Sequence, residues 1–349
     1  MLPFHLIAIS GMNMTVRTLA VSLISLGRLA ACDSDSASLP QSNVLLPEQV
    51  QAIAQGIEQK YPNLSVDKQG EVLALAIRTL DEMIFVEGGE FEMGDFGWIC
   101  DVDESEACEW PCGQAPENLC RISRYNDSSL HDVKLDSYYI ASKKPTLKDF
   151  DLFREAHGLE VFDQKRRARE DLKALYQPNF PAPTKSWQQA KDYCIWIGEL
   201  TGYPVDLPTE AQWEYAARSR GKKVLFPTDD GSLKIGKNFP DSRLTRVTGS
   251  PAFTAVDSFP PNPLGLYIVS GGATEWVNDW YAEDYYLESP LLNPRGPDSG
   301  TEKVSRGYPN NETASTMART IIRRNNNPEN KYFYFSSSFR CSIQVNHRI

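Results

Sequence analysis

Histidine is scarce in this chain. Its 349 residues include four, His5, His131, His157 and His347. A three-histidine metal centre would use nearly all of them, and such centres are built from clustered ligands, so that chemistry is disfavoured. Long apolar runs are missing too. The N-terminal run at residues 18–27 (TLAVSLISLG) has about half of the roughly 20 residues a membrane-spanning helix needs, and no later stretch is longer. Positive charge is in deficit: Lys plus Arg is 36 against 46 for Asp plus Glu, a formal net charge of −10. Phosphate neutralisation needs clustered Lys and Arg, so a nucleic-acid partner is excluded. No cysteine lies between residues 195 and 340. What is not missing is core-forming material. Hydrophobic residues make up 41% and charged residues 23%, which excludes wholesale disorder and leaves a chain long enough to bury a large core.

The short run reads as the apolar region of an export signal. It follows Arg17 and ends at Leu29-Ala30-Ala31-Cys32, which resembles a bacterial lipobox. The expectation is a signal peptide over 1–31 and a lipid on Cys32, with a polar tether over 32–46. Lipid on that cysteine would anchor the chain at a membrane of the cell envelope, on its periplasmic or outer face. An ordinary signal with an incidental cysteine is the alternative.

Six cysteines remain: Cys100, Cys108, Cys112, Cys120, Cys194 and Cys341. An even number in an exported chain reads as three disulfides. Four of them crowd into an insertion at 98–122. A four-cysteine zinc site is the rival reading, but the spacings lack paired C-x₂₋₄-C knuckles. Two disulfides stapling a loop are favoured, with the pairing open.

Pro47 opens a helix with Val50, Ile53, Ile57 and Tyr61 on one face; Pro62-Asn63 breaks it, and Ser65 caps a second helix carrying Val72, Leu73, Ala76, Ile77 and Leu80. This hairpin, 47–82, is too small to stand alone and is expected to pack on the domain C-terminal to it. From Met83 the texture changes. MIFVEGGEFEMG reads as strand, Gly-Gly turn, strand, and HDVKLDSYYIA (131–141) as one half-buried strand. Helices are expected from Thr146 and from Ser186-Trp187, with a charged, solvated stretch (DQKRRAREDLKAL) between them. The remainder is rich in Gly, Pro and Asn, a loop-dominated α+β domain over 83–349.

An ordered series of motifs lies in that domain: Phe91-Glu92-Met93-Gly94, HDVKLDSYYI, SWQQAKDYCIWI, Leu207-Pro208-Thr209-Glu210-Ala211-Gln212-Trp213-Glu214-Tyr215-Ala216-Ala217-Arg218, NPLGLYIVSGGATEWVNDWY and Ser338-Phe339-Arg340-Cys341. It resembles the formylglycine-generating enzyme, or sulfatase-modifying factor, family. The resemblance implies a C-type-lectin-like fold with small sheets, two helices and much irregular chain. It also implies a Cys194–Cys341 disulfide.

The family's enzymes oxidise a substrate cysteine with two copper-binding cysteines. Those positions fall on Glu312 and Met317 here, and a carboxylate and a thioether cannot replace a thiolate pair. No copper and no formylglycine synthesis are expected, and no cofactor is certain. The resemblance places one possible calcium site at Glu275 with the carbonyls of Gly271 and Ala273, although the family's Asn ligand is replaced by Ile268. Asn238 aligns with a ligand of a second site, without an evident acidic partner.

Two function classes remain. The first is a binding module that takes a protein ligand on its C-terminal loop face. Its form would be a retroelement-diversified receptor, a toxin-immunity protein or an envelope scaffold. The candidate contact residues are Tyr308, Glu312, Ile322, Arg324, Tyr332, Phe333 and Tyr334, with Ile322 and Phe333 also readable as core. The second is a periplasmic enzyme of altered chemistry in the same family, resembling a maturation oxidoreductase.

Overall fold

A proline in the first turn and a Gln49 side chain that accepts the Leu46 N–H start α1 (Pro47–Lys60). Ser65, accepting the Lys68 N–H, starts α2 (Val66–Asp81). The computed structural model describes residues 39–123, 125, 127–241, 254–308, 317–329 and 336–349. The buried faces of the two helices, Val50, Ile53 and Ile57 against Val72, Leu73, Ala76 and Ile77, repeat at the three- and four-residue spacing of an apolar stripe. They join one core with helices further along the chain. Trp196 Nε1 donates to the Tyr61 hydroxyl at 2.8 Å, and Arg78 pairs with Asp149 at 2.5 Å.

Next come β1 (Met83–Val86), β2 (Gly89–Met93), β3 (His131–Leu135) and β4 (Tyr138–Ala141). β1 pairs with β4 and β2 with β3, so neither β1–β2 nor β3–β4 is a hairpin or one strand. The single strand expected over 131–141 breaks at Asp136-Ser137. There the two-stranded ribbon turns a corner and enters a second sheet. Gly88 lies at the inside of that corner: a Cβ would come 2.3 Å from the Leu135 carbonyl, and its N–H donates to Ser137 Oγ.

α3 (Leu147–Ala156) begins with a capping box between Thr146 and Asp149. The charged stretch forms α4 (Gln164–Arg167) and a short 3-10 turn, Glu170–Leu175, with no buried residue in either. α5 (Trp187–Thr201) is capped by Ser186 and stopped by Gly202 in the left-handed conformation. β5 (Val205–Asp206) leads into α6 (Glu210–Ala217), all of whose residues are buried. The remaining elements are β6 (Thr274–Trp280), α7 (Tyr285–Glu288), β7 (Lys303–Arg306), β8 (Arg323–Asn326), β9 (Ser337–Phe339) and β10 (Ser342–Ile343).

The strands form a β1-β4-β10-β5 sheet, the β2-β3 ribbon and a β8-β7-β6-β9 sheet. In the last, β6 runs parallel to β9 and antiparallel to β7. α6 packs against the ribbon and that sheet, sharing a core with Phe91, Val133, Val277 and Val304.

Three disulfides are present. Cys194–Cys341 ties α5 to the chain just before β10. Within the insertion, Cys108–Cys112 is nested inside Cys100–Cys120. The four-cysteine zinc alternative is thereby excluded, since all four sulfurs are consumed. Cys32 lies outside the described residues.

Candidate functional site

α6 is a short helix carrying charge where a buried helix should be apolar. Glu210, Glu214 and Arg218 recur every four residues and therefore share one face. Arg306, the last residue of β7, donates to Glu210 Oε1 and Glu214 Oε2, both at 2.8 Å. Arg218 donates to Glu214 Oε1 at 2.8 Å. Arg323, the first residue of β8, donates to both oxygens of Glu210, at 2.8 and 3.0 Å. The result is a continuous buried row, Arg323–Glu210–Arg306–Glu214–Arg218, with side chains no more than 3% exposed wherever they form ion pairs. Burial alone would raise the Glu210 carboxyl, but Arg323 and Arg306 outweigh it and hold it below the usual carboxylate range. Buried charges are tolerated only when paired in this way, and removing one partner is costly.

The row fixes a base for the C-terminal loops. Arg306 NH2 also donates to the Thr320 carbonyl at 2.6 Å, and Arg323 NH1 to the Asp127 carbonyl at 2.8 Å. The chain therefore leaves β7 and returns into β8 at two arginines clamped to one helix. From the other side the disulfide-stapled insertion buttresses this base. Phe96, Trp98 and Ile122 share a core with Tyr308, Ile321 and Ile322. Arg319 donates to the Ile122 carbonyl and pairs with Glu104.

A second cluster surrounds Glu275. Arg340 grips it through Nε (2.6 Å to Oε2) and NH2 (2.8 Å to Oε1). Trp213 Nε1 donates to Oε2 at 2.8 Å. Lys144 Nζ lies 2.7 Å from Oε1 and also donates to the Ile268 carbonyl. Four donors fill the four lone-pair positions of the carboxylate. Glu275 therefore does not fit as a calcium ligand, and the ligand set expected at Gly271, Ala273 and Glu275 is corrected. The positive charge here comes from the Arg340 guanidinium and the buried Lys144 ammonium. Burial opposes ionisation of Glu275, but Arg340 and then Lys144 hold it at about 2. Burial pulls Lys144 down to about 8, against the attraction of Glu275. Asn238 does meet carboxylates, donating to Asp229 and Asp230, while its own oxygen accepts the Lys234 N–H. Among the described residues no group of three or more His, Cys, Asp or Glu is placed to hold a metal.

Two further charged groups sit under the same sheet. Lys303 Nζ lies 3.8 Å from the ring centroids of both Trp187 and Trp280 and donates to the Asn278 carbonyl. Burial pulls it down to about 8. Asp279 accepts the Glu210 N–H at 2.8 Å. Burial, and then the Glu210 carboxylate, push it up to about 7.

The residues expected to make contacts divide sharply. Ile322 is 2% and Tyr308 7% exposed. Both belong to the core beside the insertion, which corrects their assignment as contact residues. Arg324 is partly exposed, with its guanidinium 5.1 Å from the Tyr308 ring. Met317, at a family cysteine position, is partly buried against the same core. Glu312, Tyr332, Phe333 and Tyr334 lie outside the described residues. Sequence reasoning missed the two charge clusters. The four-residue spacing of Glu210, Glu214 and Arg218 was a readable signal for part of one; nothing local marks their arginine partners far along the chain.

These features define a class: a mixed α+β domain of the formylglycine-generating-enzyme kind, with small sheets and long loops fixed by buried ion pairs. The chain belongs to the sulfatase-modifying factor enzyme 1-like domain family, matched over residues 68–343. That match begins inside α2. Formylglycine-generating enzyme of Bos taurus is 33% identical over 181 residues, covering 49% of this chain and 46% of that protein. The chain thus spans about half the length of the curated relatives it matches first. Among solved structures, PvdO from Pseudomonas aeruginosa superposes with a TM-score of 0.54 at 22% identity, covering 75% of this chain and 94% of PvdO. Treponema denticola variable protein 1 superposes with a TM-score of 0.52 at 17% identity, covering 75% of this chain and 95% of that one. Both likenesses are of fold.

Proposed function

We propose that this chain is a non-catalytic, lipid-anchored member of its family that binds a protein partner through its C-terminal loop face. One observation carries the reading. Arg306 at the end of β7 and Arg323 at the start of β8 are both clamped onto α6, so β8 with Arg324, and the chain that follows it, start from a rigid base of the kind on which binding residues are commonly carried. The chemistry of the segment supports it: no cysteine occurs between 195 and 340, so a copper-binding thiolate pair does not fit. The buried glutamates Glu210, Glu214 and Glu275 are held in ion pairs by arginines and are unsuited to act as bases. A fold relative is itself named a variable protein. Receptor, toxin-immunity protein and scaffold are the three forms this module would take. Cys32 would carry the lipid and hold the domain at the envelope.

The test is partner capture from detergent-solubilised cells, comparing wild type with a variant bearing Ala at Arg324, Tyr332, Phe333 and Tyr334. A partner lost only by the variant, with unchanged thermal unfolding, supports the reading. Equal capture by both overturns the assignment to this face. Stoichiometric redox metal in the purified protein would instead favour the enzyme of altered chemistry.

A further inference from the structure

A separate cavity of about 300 Å³ opens where the Asp136-Ser137 corner, the N-terminal cap of α6, the loop after α7 and the C-terminal tail meet. Its walls are unusual in composition. Planar amides and hydroxyls dominate: Ser137, Gln212, Asn293, Gln344 and Asn346, joined by the Asp136 carboxylate and the Arg295 guanidinium.

The walls are pre-ordered. Asn293 Oδ1 accepts the Asp136 N–H at 2.9 Å, and its Nδ2 donates to Asp136 Oδ2 at 2.8 Å. Gln212 and Gln344 exchange two amide hydrogen bonds, at 2.8 and 3.2 Å. Gln344 Nε2 also donates to Ser342 Oγ. Gln212 is itself fixed by the capping box of α6. By contrast, the side chains of Arg295 and Asn346, and Oδ1 of Asp136, make no hydrogen bond or ion pair among the described residues. Fixed amides beside unengaged donors and acceptors are suited to a ligand that offers both kinds of group at short intervals.

Three ligand classes are disfavoured by the same lining. A phosphate would face the Asp136 carboxylate, with only the Arg295 guanidinium and the His347 imidazole to receive it. A lipid tail or flat aromatic would lack an apolar wall, since Leu135 is the one buried aliphatic side chain there. A long oligomer exceeds a volume at the small end of ligand pockets, which run from about 300 to 1,000 Å³. A single hydroxyl-rich ring satisfies all three limits.

We infer that this cavity is a binding site for one saccharide unit, recognised through Asp136, Asn293, Arg295 and Asn346. The site is independent of the C-terminal loop face and survives failure of that reading. Saturation-transfer NMR on the purified full chain tests it, using methyl glycosides of glucose, galactose, mannose and N-acetylglucosamine. Saturable binding of at least one glycoside is expected, with affinity in the range of about 1 mM. Asn346→Ala and Arg295→Ala, whose side chains support nothing in the fold, should each weaken it about fivefold or more, the loss of roughly one hydrogen bond. Lys60→Ala, on the surface of α1, should leave it unchanged. The inference is overturned if no glycoside binds saturably, or if the two pocket variants bind as wild type does while unfolding at the same temperature.

Discussion

Asp279 and Glu275 are both buried carboxyls, yet their surroundings drive them in opposite directions. Asp279 sits beside another carboxylate and is raised from 3.8 to about 7. Its folded form therefore binds the proton more tightly than the unfolded chain does. The stability this contributes is complete below about pH 4 and is lost as pH rises through 7. Glu275, lowered from 4.5 to about 2 by Arg340 and Lys144 against its burial, contributes stability above pH 4.5 that is lost as pH falls towards 2. Asp279→Asn keeps an acceptor for the Glu210 N–H and removes the charge. It should stabilise the protein at pH 8 by up to about 4 kcal/mol and by little at pH 4, measured by urea unfolding at the two values. Lys144→Met removes one of the four donors to Glu275. The expected loss is about 3 kcal/mol, the low end for breaking a buried pair, because Arg340 remains. Since Arg340 and Lys144 already neutralise Glu275, a chelator should leave the melting temperature of the wild type unchanged in calorimetry; a fall of several degrees would point to a metal at this place.

At the scale of elements, the Cys194–Cys341 disulfide closes the longest loop in the chain, 147 residues. Replacing both cysteines by serine should cost about 5 kcal/mol in the chain-entropy picture, read as a lower urea midpoint at similar slope. Helix starts were legible because each carries its own signal: Pro47, Ser65, Thr146, Ser186 and Thr209 all open helices. The apolar stripes of α1 and α2 were legible for the same local reason. The strands were less so. Residues 131–141 alternate like one strand, but the break at Asp136-Ser137 depends on Asn293 and Gly88, which lie far away in sequence. The calcium expectation failed similarly: Glu275 looks like a ligand until Lys144, Arg340 and Trp213 are brought to it by three other segments. Ile322 read equally well as contact or core, and only the insertion packed over it decides for core.

For the whole molecule, the disulfide insertion and α6 hold one long C-terminal stretch on a buried charged row, while the helical hairpin packs on α3 and α5. That arrangement is expensive unless every charge is paired, and it concentrates rigidity under the loops. Fold alone does not decide function, and here the fold hosts enzymes in relatives whose names say so. The proposed lipid on Cys32 is tested at the same scale. Cys32→Ser should abolish incorporation of labelled palmitate and release the protein from membranes; label retained by the variant would remove Cys32 from that role. The most direct measurement is partner capture by the wild type and by the variant with Ala at Arg324, Tyr332, Phe333 and Tyr334, with thermal unfolding as the control. Binding through the C-terminal loop face predicts a specific protein captured by the wild type and lost by an equally stable variant. A partner retained in full by that variant would contradict it.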